Sequence, residues 1–208
     1  MKIVDFPQGT PEWAAARAGK VTASCMDKVL AKIKVGEAAA RRDYRAQIVA
    51  EILTGAPQDS GYINAEMQWG IEQEPFARGA YEAAQCVLVD EVGFVIHPTL
   101  ERAGASPDGL VGTDGLIEIK CPKTATHLQY LLDGAVPKDY EPQMMWQLAC
   151  TGRAWCDFVS FDPRLPEKMQ MLRVRLQRDD ARIAELEAEV RGFLLDVDRM
   201  LETVRRFA

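Results

Sequence analysis

Up to residue 85 the apolar positions recur at helical spacing, and after it they shift toward the alternation expected of strands. Thr10-Pro11-Glu12 opens the first helix with a capping hydroxyl, a proline at the first helical position and an acid, and Gly19 closes it. The spacing predicts a second helix over about Thr22–Ile33, a KVGE loop, and a third helix over about Glu37–Leu53 stopped by Gly55. Residues 64–85 carry Met67, Ile71, Phe76, Ala80 and Ala84 on one helical face, with a kink or a break expected at Pro75. CVLVDEVGFVIHP is β-branched and predicts two strands or one bent strand. LIEIK alternates with period two, WCDFVSFD and KMQMLRVRL predict two more strands, and residues 124–132 and 140–151 read as helices. Residues 179–206 form one long helix whose stripe, from Ile183 through Phe193 to Val204, is expected to dock on the domain's own sheet. Helices, then strands with interleaved helices, then a closing helix predict an α/β fold of three layers, or an α+β fold, with a mixed sheet.

Composition adds little to this and excludes several classes. The chain has 208 residues, 48% of them apolar and 27% charged, which suits a single globular domain over residues 1–208. No apolar run is long enough for a membrane span, and MKIVDFPQGTPEW lacks the apolar core of a secretory signal. Five scattered cysteines (25, 86, 121, 150, 156) predict a reducing, cytoplasmic setting rather than a disulfide framework. No CxxC pair is present to hold an iron–sulfur cluster, and His97 and His127 stand apart, as core or surface residues do. Trp69, Trp146 and Trp155 are expected in the core. The net charge is −6, yet residues 17–45 contain eight Lys/Arg against three Asp/Glu, a local +5. Such a segment is either a solvated helix face or a footprint for phosphate.

The candidate chemistry lies in GASPDGLVGTDGLIEIK, residues 104–120. Pro107-Asp108-Gly109 and Thr113-Asp114-Gly115 are turn sequences, so Leu110–Val111 and Leu116–Lys120 can pair as a hairpin. Alternation puts Glu118 and Lys120 on one face and Ile117 and Ile119 on the other. Asp108, at the mouth of the hairpin, can reach the face of Glu118. Two converging carboxylates repel unless a cation lies between them, and a hard divalent ion with oxygen ligands fills that place. The Ile119 carbonyl offers a further ligand, and Lys120 can position or deprotonate a water and offset phosphate charge. Together these residues suit metal-assisted hydrolysis of a phosphodiester. An isolated ExK pair, by contrast, is also compatible with an ion pair on an exposed sheet.

PDG followed by IEIK resembles the PD-(D/E)xK nuclease signature, and GASPDG…LIEIKCP resembles the phage lambda exonuclease and YqaJ-type alkaline exonuclease family. Three more segments agree in order: WAAARAGKVTAS, WGIEQEPFARGAYE and YEPQMMWQLACTG. The resemblance spans about Trp13 to Phe161 and leaves out the closing helix. It implies a restriction-endonuclease-like core, a mixed central β-sheet flanked by helices. It also implies a Mg²⁺-dependent 5′-to-3′ exonuclease (Mn²⁺ substituting) that digests one strand of duplex DNA from its ends for recombination by strand annealing. Alternatives on the same fold are a restriction-like endonuclease and a catalytically idle module that binds DNA ends or protein.

By resemblance Asp108, Glu118 and Ile119 hold metal, Lys120 serves the nucleophile, and Glu74 lies near the metals, although spacing alone does not separate it from Glu72. Arg17, Ser24, Ser106 and Gln143 fall at positions that grip a terminal 5′-phosphate. By sequence Ser24 is equally a helix cap, and a helix N-terminus near Thr22–Ser24 would add amide donors. Pro75 directly after Glu74 departs from the continuous helix expected there. The resemblance further implies a homotrimeric ring around DNA and a single-strand annealing protein as partner.

Overall fold

Thr10 caps the first helix as its sequence suggests, its Oγ1 accepting from the Trp13 amide at 3.3 Å. The computed structural model describes residues 1–58 and 64–207. Among these residues the chain order begins β1 (Lys2–Val4), α1 (Pro11–Arg17), β2 (Val21–Thr22), α2 (Met26–Leu30), α3 (Ala39–Thr54) and α4 (Ala65–Gln85). Five strands follow: β3 (Val89–Asp90), β4 (Phe94–Ile96), β5 (Ala103–Ala105), β6 (Gly109–Val111) and β7 (Gly115–Lys120). The chain closes with α5 (Thr124–Asp133), α6 (Glu141–Thr151), β8 (Trp155–Phe161), β9 (Met171–Gln177) and α7 (Asp180–Val204).

The expected mixed sheet is two sheets, of order β1-β4-β5-β2 and β3-β6-β7-β8-β9. Each is mixed: β2 runs parallel to β5 and β7 parallel to β8, and the other pairings are antiparallel. CVLVDEVGFVIHP is two strands, and they enter different sheets. Gly93, between them, allows the crossing, because a Cβ there would lie 2.4 Å from the Val4 carbonyl oxygen and 2.7 Å from that of Phe6. The chain crosses between the sheets again at Ser106-Pro107-Asp108, between β5 and β6.

The second helix is shorter than its spacing predicts. Val21 and Thr22 pair with Ala103 and Gly104 instead, a 3₁₀ turn covers Ala23–Cys25, and α2 ends at Leu30. Ile33 and Val35 are exposed, so no apolar face continues the helix. α4 runs unbroken through Pro75. Pro75 and Ile71, whose carbonyl it leaves unpaired, both lie on the helix's exposed side, where water can take that carbonyl.

The stripe of α7 is buried as expected but packs chiefly on α3, α6 and α2 rather than on a sheet. Phe193 stacks on Tyr44 at 5.4 Å, with the Arg41 guanidinium 5.0 Å from the Phe193 ring. A smaller core lies beneath α4, where Ala77 and Tyr81 meet Ile117, Ile119, Val159 and Phe161. The two faces of β7 therefore divide as its alternation predicts: Ile117 and Ile119 turn to α4, Leu116 and Glu118 to α6.

His97 and His127 are core residues. The His97 ring stacks on Trp146 at 4.8 Å, with Nε2 3.2 Å from Glu187 Oε1. His127 is bonded to Ser160 Oγ at 2.7 Å and to the Met169 carbonyl at 2.9 Å. Trp146 is fully buried, whereas Trp69 and Trp155 are only partly so. The five cysteines are free thiols. No helix among the described residues is long and apolar enough to cross a membrane.

Candidate active site

The crossing at Ser106-Pro107-Asp108 is held from outside by Gln8, whose amide donates to the Pro107 carbonyl at 2.8 Å and to that of Val92 at 2.9 Å. The hairpin forms in the expected register, with Gly109 opposite Ile117 and Leu110 opposite Leu116. Asp108 then closes onto β7: its Oδ2 accepts from the Ile119 amide at 2.6 Å.

Glu118 is 1% exposed. Gln143 and Gln147, one turn apart on α6, donate to its Oε1 and Oε2, each at 2.5 Å. Lys120 pairs with Oε1 of the same carboxylate, and its ammonium lies 5.2 Å from the Tyr140 ring. Burial, followed by repulsion from Glu118, pushes the Asp108 carboxyl well above the ordinary range. Burial works against charge on Lys120 too, but Glu118 and Asp108 overcome it and hold the ammonium above its usual value. The site thus gathers more negative charge than one lysine relieves. A hard cation at Asp108 and Glu118, with the Ile119 carbonyl nearby, fits that imbalance. Among the described residues no three His, Cys, Asp or Glu side chains form a ready-made metal cage. The donor set is that of an ion completed by water and substrate oxygens.

Glu74 reaches this centre from α4. It lines a cleft of about 490 Å³ with Ile119, Lys120 and Tyr140. Arg78, one turn on, donates to it at 2.6 Å, lies 3.0 Å from Glu91 and donates to the Asp108 carbonyl at 3.3 Å. Burial raises the Glu74 carboxyl despite Arg78 and Lys120. Glu72 points elsewhere, exposed and bonded to Gln68 at 2.7 Å, so the two acids that spacing left equivalent are separated by the helix.

On the opposite side Arg17, Ser24, Ser106 and Gln143 line one cavity of about 180 Å³ together with Asp108, Glu118 and Lys120. Trp13 orders it: its indole N–H donates to Ser106 Oγ at 3.0 Å, and the Arg17 guanidinium stacks 3.8 Å above its ring. Arg17 also donates to Ser24 Oγ at 3.4 Å, and Thr22 Oγ1 lies 3.3 Å from the same hydroxyl. At the expected helix N-terminus, Thr22–Ser24, a 3₁₀ turn over Ala23–Cys25 begins with Thr22 at its N-cap, and α2 proper begins at Met26. Two charges of the local +5 are met by acids of α7, Glu189 and Asp196, and Arg45 pairs within the segment. Lys32 pairs with Glu189 at 2.6 Å, Arg41 with Asp196 at 3.2 Å and Arg45 with Glu37 at 2.5 Å. Arg17, Lys20 and Lys28 instead line a neighbouring cavity of about 220 Å³.

A family model described as the YqaJ-like viral recombinase domain matches residues 12–154. The chain belongs to this family. Among solved structures, the alkaline exonuclease LHK-Exo of Laribacter hongkongensis is similar at 50% identity, with a TM-score of 0.88 over 95% of this chain and 97% of that one. The same values hold for its complex with dAMP. A phage-related exonuclease from Haemophilus somnus 129PT, at 17% identity and TM-score 0.70 over 89% of this chain and 96% of that one, shares the fold. No curated protein matches the chain. The YqaJ-like region ends before α7, and it contains the hairpin, α4, α6 and the Arg17 cavity.

Four residues that shape the site are not among the candidates singled out from the sequence: Gln8, Trp13, Arg78 and Gln147. Two of them carried a signal, because Glu74/Arg78 and Gln143/Gln147 are i,i+4 pairs on helices. Gln8 and Trp13 act across more than ninety residues of sequence on Pro107 and Ser106, and no local spacing reports that.

Proposed function

We propose that the protein is a divalent-metal-dependent exonuclease, using Mg²⁺ or Mn²⁺, that digests one strand of linear duplex DNA from the 5′ end and leaves a 3′ single strand. One observation carries this. The carboxylate pair Asp108/Glu118 and the phosphate-binding types Arg17, Ser24 and Ser106 open into one cavity of about 180 Å³. Such a space suits a terminal phosphate beside a cleavage centre.

A metal ion held by Asp108, Glu118 and the Ile119 carbonyl would polarise the phosphodiester and acidify water. Gln143 and Gln147 hold the two oxygens of Glu118 in place, the Gln143 side nearer the cavity, so that the carboxylate is fixed for a metal ion. Lys120, paired with Glu118 beside the metal-binding carboxylates, positions or deprotonates the attacking water and offsets phosphate charge. Arg17, flattened on Trp13 and tied to Ser24, presents a fork suited to a phosphate with two exposed oxygens. Each cut makes a new 5′-phosphate that fits the same pocket.

The same proposal includes a cytoplasmic setting, a homotrimeric ring and a single-strand annealing protein as partner. These follow from the family resemblance, and light scattering giving a monomer would remove the ring. The deciding assay incubates the protein with Mg²⁺ and matched linear and circular duplexes. Mononucleotides from the linear form alone support an exonuclease. Cuts in the circle support an endonuclease, and binding without release supports an idle module.

A further inference from the structure

The cleft that meets Lys120 continues away from the Arg17 cavity. Its neighbour, a pocket of about 470 Å³, is lined by Trp69, Lys123, Thr126 and Arg164, and the two share Glu66, Cys121 and Pro122. Together they make a groove from Lys120 along the first turns of α4. Trp69 and Glu74 are five residues apart on that helix, about 7.5 Å along its axis, within reach of one nucleotide.

The far end of the groove is built, not merely solvated. Asp162 is fully buried and grips Arg164 with both oxygens, Nε–Oδ1 2.7 Å and Nη2–Oδ2 3.0 Å. Arg164 also donates to the Pro122 carbonyl at 3.1 Å. So fixed, its guanidinium lies 4.4 Å from the centre of the Trp69 ring. Trp69 Nε1 is buried and has no hydrogen-bond partner among the described residues. An indole N–H left without an acceptor is costly, and a ligand oxygen or base acceptor would satisfy it. Lys123, 63% exposed at its side chain, pairs with the exposed Glu66 at 2.6 Å and can turn to a phosphate.

We propose that this groove is a subsite for one unpaired nucleotide, with its base against Trp69 and its phosphate drawn to Lys123 and Arg164. An aromatic wall, two cations and one donor match the general recognition of single strands, which stack without reading sequence. The inference rests on the nuclease function proposed above. A nucleotide unit of this chemistry has two sources there: the single strand left by digestion, and the mononucleotide released.

The test measures binding of a short labelled oligothymidylate in EDTA, where no cleavage intervenes. Trp69→Leu and Lys123→Gln are compared with wild type, and a blunt 5′-phosphorylated duplex serves as second ligand. Single-strand affinity should fall about tenfold in Trp69→Leu and severalfold in Lys123→Gln, with duplex affinity changing far less. Lys123 is exposed, so its variant reports even if Trp69→Leu unfolds. Competition by dTMP that weakens in Lys123→Gln assigns the site to the released unit, and competition that is absent, or unchanged in that variant, assigns it to the strand. Unchanged single-strand affinity in folded variants, or an equal loss on duplex and single strand, overturns the subsite. Failure of the nuclease proposal would show separately, as wild type releasing no nucleotide in Mg²⁺.

Discussion

Gln147 donates its side-chain amide to Glu118 Oε2 at 2.5 Å from a fully buried position on α6. The carboxylate is thereby fixed from inside the core, with Gln143 holding its other oxygen nearer the cavity. Gln147→Leu would leave a buried carboxylate oxygen without its donor, a cost of about 1–3 kcal/mol. The melting temperature should fall by roughly 2–4 °C per kcal/mol in a chain of this size. Thermal unfolding in a chelator measures this. An unchanged melting temperature would show that the bond does not hold Glu118.

Asp108 works in the other direction. Its folded pKa lies above its ordinary value, chiefly through burial and then through Glu118. For such a group the stabilising share is whole below the unfolded pKa and is lost as pH rises through the folded one. At neutral pH without metal, the raised Asp108 carboxyl therefore costs the fold stability. Asp108→Asn keeps an acceptor for the Ile119 amide and removes the charge. It should melt a few degrees higher than wild type in a chelator, with a smaller difference toward acid, and should lose nucleotide release. A lower melting temperature for the variant at neutral pH would refute this.

Glu74 and Glu72 separate in a rate measurement. Glu74→Gln should lower release at least about tenfold, the equivalent of ~1.4 kcal/mol in the barrier. Glu72→Gln, altering an exposed acid bonded to Gln68, should stay near wild type. Equal effects would remove Glu74 from the centre.

Arg17→Ala should erase the distinction between 5′-phosphate and 5′-hydroxyl ends. Charge-assisted contacts contribute about 1.5–3 kcal/mol each, so use of phosphorylated ends should drop on the order of tenfold or more. Rates on the two end types, wild type against variant, decide it. A preference that survives in the variant would mean Arg17 does not touch the phosphate.

The hairpin was legible because its information is local: turn residues, period-two alternation, and two charged residues where apolar ones would suffice. The same holds for α1, α3, α6 and α7, whose caps and spacing lie within the elements themselves. Elements made by distant pairing were not legible. β1, β2 and β5 are two or three residues long and exist because they pair with one another or with β4. Thr22 reads as the start of a helix, yet pairing of Val21 and Thr22 with Ala103 and Gly104 prevailed. The division into two sheets turns on crossings at Gly93 and Ser106–Asp108 that no periodicity records. Asp108, Glu118 and Lys120 stand on such a local pattern, whereas Trp13 and Gln8, which brace the crossing from the N-terminal segment, do not.

The proposed activity is metal-dependent release from one end at Asp108, Glu118 and Lys120. Its most direct test is a linear duplex carrying distinguishable labels at its 5′ and 3′ ends, incubated in Mg²⁺ with wild type and with Glu118→Gln. Wild type should release the 5′ label first, as a mononucleotide, with the complementary strand intact, and folded Glu118→Gln should release neither label. Release beginning at the 3′ end, or undiminished release by folded Glu118→Gln, would contradict the account.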